Sequence, residues 1–207
     1  MKDQKVFVIG FHKTGLTSLG KALELLGYHV CHRAKPVREA LGHDEMIRQL
    51  ESRSYDEVFN IATHYTAFHD NPWFWLYKEL DAKFPHSKFI LSLREEQSWL
   101  KSAQNYFGSS ESDFRRLVYG KGRFKGNEDL YLDRYRTHNK EVRAWFKNRS
   151  EDLLELDVIA SPEWGKLCEF LSKPLPTLPF PHLNATSKPS SVLKRLKQEV
   201  KNGIKKA

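Results

Sequence analysis

The hydrophobic positions of this chain fall into short continuous runs that are separated by longer amphipathic segments. The short runs are typical of strands buried on both faces of a parallel sheet, and they lie at 5–9, 28–30, 57–62, 88–93 and 152–156. Apolar residues at helical spacing predict helices over 17–26, 36–52, 72–84, 95–107, 111–119, 127–147 and 162–172. Alternating strands and helices indicate an α/β fold, a three-layer sandwich with a central parallel sheet.

Two other regions depart from this alternation. The connection over 94–151 is long, helical and rich in Arg and Tyr, and it predicts a helical cap over a ligand crevice. From Lys173 onward, closely spaced prolines exclude a helix and predict an extended strap. We therefore expect a main domain over 1–190 and a basic amphipathic tail over 191–207. Packing of this tail by its apolar stripe is favoured over contact with a membrane.

The first strand leads into a segment with the features of a phosphate-binding loop. Val6–Ile9 is followed by Gly10 and Gly15, and then by the start of a helix. Backbone N–H groups and the positive end of the helix dipole attract phosphate at such a position. Nucleoside triphosphatases place a lysine directly after the second glycine. Here that position is Leu16, and the lysine is Lys13 instead.

The strand over 88–93 also lacks a feature that kinases and GTPases require. It ends in Arg94, where a metal-binding aspartate would be needed. Ser102 follows eight residues later, so two helical turns place it on the same side of the helix as its start. An arginine and a hydroxyl in this arrangement suit a second phosphate. The pattern thus predicts a site for two phosphates that uses no metal, and a nucleotide or small-metabolite kinase is kept as an alternative.

The loop and the Arg94/Ser102 pair together resemble the P-loop sulfotransferases, in particular their small, single-domain branch common in bacteria. Further similar segments are 70–72, 79–91, 126–128, 135–139, 164–171 and 180–184. The resemblance implies a 3′-phosphoadenosine 5′-phosphosulfate donor, with 3′,5′-adenosine bisphosphate as the product. It implies that the loop holds the 5′-phosphosulfate and that Arg94 and Ser102 hold the 3′-phosphate. The expected cofactor-binding residues are His12, Lys13, Thr14, Gly15, Leu16, Thr17, Ser18, Arg94 and Ser102.

Catalysis of sulfuryl transfer needs a cation near the departing oxygen and a base for the acceptor. Lys13 is the expected cation. In the related enzymes the base often lies in an H-x-P arrangement, and Asp70-Asn71-Pro72 matches it with aspartate in place of histidine. Asp70 is therefore the leading candidate, and it can equally cap the following helix. His64 and His69 are further candidates near the exit of the third strand. His32, at the end of the second strand, is the runner-up base or a substrate contact.

Composition limits the remaining possibilities without naming an acceptor. The chain has 207 residues, a net charge of +8 and two cysteines. The charge suits an anionic ligand, and a non-catalytic nucleic-acid-binding protein is the second alternative. The cysteine count and an N-terminus that leads directly into a strand favour a cytoplasmic protein. We expect a small-molecule or glycan acceptor and no specific nucleic-acid partner; the sequence gives no oligomeric state.

Overall fold

A computed structural model describes residues 4–183 of the chain. The basic tail predicted over 191–207 lies outside the described residues. Within 4–183, five parallel strands form one sheet in the order β2-β3-β1-β4-β5. They are β1 (Val6–Val8), β2 (Val30–His32), β3 (Ala67–His69), β4 (Lys88–Ser92) and β5 (Leu153–Leu156). The predicted α/β fold with a central parallel sheet is confirmed.

Helices cover both faces of this sheet. They are α1 (Leu16–Leu25), α2 (Lys35–Leu41), α3 (His43–Ser52), α4 (Asp56–Ala62), α5 (Tyr77–Lys83), α6 (Glu96–Phe107), α7 (Asp113–Tyr119), α8 (Glu128–Trp145) and α9 (Gly165–Phe170). The buried side chains of α1 and α9 pack with Val6 and Val8 on one face. Those of α3 to α8 pack with Phe7 on the other face. Because successive strand residues point to opposite faces, β1 contributes to both layers of core.

Stacked aromatic rings fill the larger of the two core layers. The Phe7 ring centroid lies 4.6 Å from that of Phe68 on β3 and 5.5 Å from that of Phe89 on β4. These three residues occupy one register row across the neighbouring strands. Each ring is withdrawn from solvent, so the row contributes several kcal/mol of hydrophobic stabilisation.

The structure corrects the predicted third strand. Residues 57–62 belong to helix α4, and the strand is instead the short β3. The apolar run was misleading because Val58, Phe59 and Ala62 are buried on one side of a helix, a spacing that six residues cannot distinguish from a strand. The second strand also lies two residues later than expected, at Val30–His32.

Two predicted helices are shorter or divided. The helix expected over 36–52 is broken at Gly42, whose φ of 82° cannot continue a helix. The helix expected over 72–84 is limited to α5, because 71–76 forms a series of turns. Over 173–183, the proline-rich strap is non-helical, as predicted. It is held by Trp164, whose indole N–H donates to the carbonyl of Leu178 at 2.7 Å and whose ring packs on Phe180.

Candidate active site

The loop between β1 and α1 has a backbone conformation that depends on two glycines. A Cβ at Gly10 would lie 2.0 Å from Oγ of Ser92, so only glycine permits this approach to β4. Gly15 has a φ of 89°, and a Cβ there would lie 2.3 Å from a methyl carbon of Val158. In the described part of the chain, α1 has neither a side-chain cap at its N-terminus nor an acidic residue in its first turn. Its first N–H groups therefore face an anion-binding position.

Neighbouring side chains fix this loop to the rest of the molecule. The Thr14 hydroxyl donates to the carbonyl of Phe11 at 2.6 Å and lies 2.6 Å from the hydroxyl of Ser92. The indole N–H of Trp99 donates to the carbonyl of His12 at 2.8 Å. Thr14 is fully buried, so its side chain shapes the loop.

A cleft of about 520 Å³ opens at the carboxyl ends of β1, β3 and β4. Most residues that the sequence singled out line it: His12, Lys13, Gly15, Leu16, Thr17, Ser18, Asp70, Arg94 and Ser102. Thr14 and His32 are not among the lining residues. Helix α6 provides another wall through Tyr106 and Phe107, so part of the predicted cap does border the cleft.

Arg94 is held by a set of contacts that connect β4 to the loop. Its Nη1 donates to the carbonyl of Lys13 at 3.1 Å, and its Nε donates to the hydroxyl of Ser98 at 2.9 Å. The Tyr135 hydroxyl accepts from the backbone N–H of Arg94 and donates to its carbonyl, at 3.0 and 2.7 Å. Sequence reasoning noted the segment around Tyr135 but gave it no role. The structure shows that Tyr135 positions Arg94.

The Lys13 ammonium lies in the cleft close to the guanidinium of Arg94. Its Nζ is 3.9 Å from the ring centroid of Tyr106, within the range of a cation–π contact. Burial is the main cause that lowers the pKa of Lys13, and the nearby charge of Arg94 adds to it. Two cations that are close together and partly withdrawn from water create a position that favours an anion.

Asp70 follows β3 directly and faces the same cleft. Its Oδ1 accepts the backbone N–H of Asn71 at 2.8 Å, and its Oδ2 lies 3.7 Å from Nε of Arg33. Nε2 of His12 is 3.7 Å from Oδ1. Although the predicted third strand was wrong, the residue expected at its exit lies at the carboxyl end of the actual β3.

His12 lies between this carboxylate and the interior of the protein. Its Nδ1 is 2.9 Å from the hydroxyl of Tyr119, and its Nε2 is 2.7 Å from the side-chain oxygen of Asn71. Burial lowers the pKa of His12 and raises the pKa of Tyr119, so the phenol keeps its proton. The tautomer that satisfies both contacts accepts from Tyr119 at Nδ1 and donates from Nε2 to Asn71.

The other candidate histidines lie away from the cleft. His32 Nε2 is 2.7 Å from a carboxylate oxygen of Glu24, and its Nδ1 is 2.8 Å from Nε2 of His69. His69 is buried against Gly20 on α1. His64 lies before β3, where its carbonyl is 3.0 Å from Nδ1 of His29, so it is at the amino ends of the strands, opposite the cleft. The structure brings only Asp70, among the candidate bases, to the cleft.

His138 is a buried residue near the loop that sequence reasoning left without a role. Its Nε2 donates to the carbonyl of Ile9 at 2.7 Å, at the point where β1 ends. Its ring packs against Phe11 with a centroid distance of 4.3 Å. Burial lowers the pKa of His138 to about 3, so the ring is neutral at physiological pH. Helix α8 thus supports the ends of β1 and β4 through His138 and Tyr135.

The buried histidines predict that the folded protein loses stability in acid. Burial lowers the pKa of His69 to about 4 and that of His138 to about 3, from 6.5. The unfolded chain therefore binds more protons than the folded chain below about pH 6.5, and the free energy of unfolding falls as the pH drops from 6.5 towards 4. For His69 the loss is about 3 kcal/mol.

Urea unfolding across this pH range measures the effect. The free energy of unfolding should change less steeply with pH in His69→Gln than in wild type. His64→Gln, which alters an exposed histidine, should keep the wild-type slope; equal slopes in all three proteins would contradict the prediction.

The described residues provide neither a cluster of metal-binding side chains nor a helix that could cross a membrane. Within 4–183, no three His, Cys, Asp or Glu side chains lie close enough together to hold a metal ion. Over the same residues, every helix is too short or too polar to cross a membrane.

Comparison with known proteins gives the family. A family model described as a sulfotransferase domain matches residues 5–120 and 114–188. The chain belongs to the sulfotransferase family. "Ava biosynthesis cluster protein M" from Aspergillus versicolor is similar to this sulfotransferase, with 27% identity over 240 aligned residues. The alignment covers 96% of this chain and 90% of that protein. The predicted resemblance is thereby confirmed at the level of the family.

The sulfotransferase cleft has a second half, beside the loop, that the sequence indicated only as a helical cap. Helices α2, α3 and α7 contribute Arg38, Met46, Phe114 and Arg115 to its walls. These helices are separate in the chain, so no local pattern could have brought the residues together. The cleft therefore has one half built on the sheet and loop, and one half built on helices.

Proposed function

We propose that this protein transfers a sulfuryl group from 3′-phosphoadenosine 5′-phosphosulfate to a hydroxyl or amine of a small-molecule or glycan acceptor. The observation that carries the proposal is the 3.1 Å contact from Arg94 to the carbonyl of Lys13. This contact joins two cationic positions, one on the loop and one after β4, at the same cleft. Membership of the sulfotransferase family supports the same reaction class.

The residues present fit such a donor. The N–H groups at the start of α1, together with Lys13 and Thr17, would hold the 5′-phosphosulfate. Arg94 and Ser102 would hold the 3′-phosphate. When bound, the donor supplies the sulfuryl group and a phosphate leaving group. The Ser18 hydroxyl is already engaged, since it accepts the backbone N–H of Leu183 at 3.0 Å, so Ser18 would contribute through its backbone.

Lys13 would stabilise the charge that grows as the sulfuryl group leaves. A cation in a partly dehydrated cleft interacts strongly with developing negative charge. Its cation–π contact with Tyr106 limits its freedom without neutralising it. We propose that Lys13 and the loop amides perform this role without a metal ion.

Asp70 would accept the proton of the acceptor. The carboxylate is oriented by the Asn71 N–H and by His12, and its Oδ2 is directed to Arg33. His12 is neutral because its burial lowers its pKa, so it acts here as a positioning residue. His32 is paired with Glu24 outside the cleft, so it would not reach the acceptor's proton.

The experiment that tests this function compares nucleotides. Titration calorimetry with 3′,5′-adenosine bisphosphate, ADP, ATP and AMP, each with and without EDTA, should show a preference for the bisphosphate that EDTA does not change. Arg94→Ala should weaken bisphosphate binding about 30-fold or more, because one partner of a charged contact is lost. Arg136→Ala is the control, since Arg136 is an exposed arginine paired with Glu96.

Three outcomes would contradict the proposal. Equal affinity for ADP, or binding that disappears with EDTA, would favour a kinase. Binding of nucleic acid that weakens steeply with salt, without a preference for the bisphosphate, would favour a nucleic-acid-binding protein.

A further inference from the structure

Arg115 is a buried cation in the helical half of the cleft. Only 5% of its surface is exposed, yet it lines the cleft. Its Nη2 donates to the carbonyl of Ser110 at 2.5 Å and lies 3.1 Å from the Ser110 hydroxyl. Its guanidinium carbon is 4.7 Å from the ring centroid of Phe107. These contacts hold the guanidinium in one orientation.

The charge of Arg115 is not balanced within the described residues. Over 4–183, the guanidinium forms no ion pair, and its Nη1 is buried without a hydrogen-bond partner. The two nearest acidic residues in sequence are engaged elsewhere: Glu111 with Arg123 at 3.5 Å and Asp113 with Arg116 at 3.1 Å. A buried charge without a partner is strongly unfavourable, so its presence in a cleft indicates an anionic ligand.

The residues around Arg115 indicate the chemistry of the rest of that ligand. Phe107, Phe114 and Met46 provide apolar walls, and Arg38 on α2 adds a second cation at the rim. Among the described residues, Arg38 also lacks an ion pair. The loop and Arg94, which would hold the donor, form the neighbouring part of the cleft, where the ring centroid of His12 lies 5.6 Å from that of Phe107 and 6.3 Å from that of Phe114. The helical half is therefore left for the acceptor.

From these observations the geometry points to an acceptor that carries an anionic group, a carboxylate or a phosphate monoester, bound by Arg115. This inference rests on the proposed function, because it assigns the helical half of the cleft to the acceptor. The acceptor's apolar part packs against Phe107 and Phe114, and Arg115 fixes the end opposite the reacting hydroxyl or amine. Neutral acceptors of the same shape leave the buried guanidinium without a partner and bind less tightly.

The test uses the full chain saturated with 3′,5′-adenosine bisphosphate. Calorimetry compares 4-hydroxyphenylacetate, its neutral methyl ester and phenyl phosphate. We expect at least one of the two anions to bind about tenfold or more tightly than the ester. Tighter binding of the acid identifies a carboxylate, and tighter binding of phenyl phosphate identifies a phosphate monoester. This comparison uses wild-type protein, so it does not depend on the folding of any variant.

Two variants then assign the effect to Arg115. Arg115→Gln keeps a donor for the carbonyl of Ser110 and should remove the preference for the anion, while its affinity for the bisphosphate stays that of wild type. Arg116→Gln alters the next residue of α7, an exposed arginine paired with Asp113, and should keep the preference. Arg115→Lys, which retains the charge, is the second variant if the glutamine protein does not fold, and it should keep part of the preference.

Several results would overturn the inference. They are equal binding of the anions and the ester, an unchanged preference in Arg115→Gln, and displacement of the bisphosphate by the anion, which would place the anion at the donor phosphates. Failure of the proposed function is distinguishable, because it appears as a lack of bisphosphate binding. The comparison of acid and ester is then made on the unloaded chain.

Discussion

Replacing Lys13 with methionine should lower kcat for sulfuryl transfer by about two to three orders of magnitude, the cost of removing one group that stabilises transition-state charge. Methionine keeps the length and apolar stem of the side chain, so its packing on Tyr106 survives while the charge is lost. The affinity for 3′,5′-adenosine bisphosphate should change much less, because Lys13 would interact most strongly with charge that grows during the reaction. Single-turnover transfer from labelled donor to an acceptor that wild type uses measures the effect.

The control for this prediction is Lys101→Met. Lys101 is exposed on α6 and is not among the residues that line the cleft. Its replacement removes the same charge and should leave kcat unchanged. If Lys13→Met raised KM and left kcat at the wild-type value, Lys13 would contribute uniform binding and not transition-state stabilisation. Arg94→Ala should show that KM-dominated pattern, because Arg94 would contact the phosphate that does not react.

Replacing Asp70 with asparagine should lower kcat by about two to four orders of magnitude through loss of general-base catalysis. Asparagine has almost the same shape, and its side-chain oxygen can still accept the N–H of Asn71. Fold and bisphosphate affinity should therefore persist. The measurement is transfer from labelled donor, with thermal unfolding as the check on folding.

The matched comparison for Asp70→Asn is His32→Gln, which changes the runner-up candidate outside the cleft. It should retain near-wild-type transfer. If Asp70→Asn retained near-wild-type transfer and His32→Gln lost it, the base would lie at the end of β2. If neither variant lost transfer activity, the remaining explanations would be proton transfer to water or to a group of the substrate itself.

The layered fold was predictable because the hydrophobic patterns that indicate its strands and helices each lie within one short segment of sequence. The runs around β1 and β4 are continuous and apolar, and helices α6 and α8 have long amphipathic patterns. The strand β3 was not predictable, because three residues give no periodicity and its polar neighbours do not resemble a buried strand. The apolar run of α4, directly before it, provided a stronger and misleading signal.

The half of the cleft that is built on the loop and the sheet was also predictable, since Lys13 and Gly15 belong to one short loop and Arg94 and Ser102 to one strand–helix unit. The roles of Tyr135 and His138 depend on contacts across more than 40 residues of sequence, which spacing does not reveal. Arg115 was not predictable for a related reason. Its guanidinium has no acidic partner within residues 4–183, because Glu111 and Asp113 pair with other arginines. The sequence does not reveal those pairings.

The different construction of the two halves of the cleft affects how proteins with this architecture can diverge. The half built on the loop and the sheet depends on Gly10, Thr14, Ser92 and Arg94, whose contacts join the loop to the sheet. A substitution at any of these positions would change both proposed phosphate subsites together. The half that we propose for the acceptor is lined by side chains on α2, α3 and α7, which belong to other segments of the chain than the loop. Replacing one of these lining side chains would therefore change the acceptor while the proposed phosphate positions stay the same.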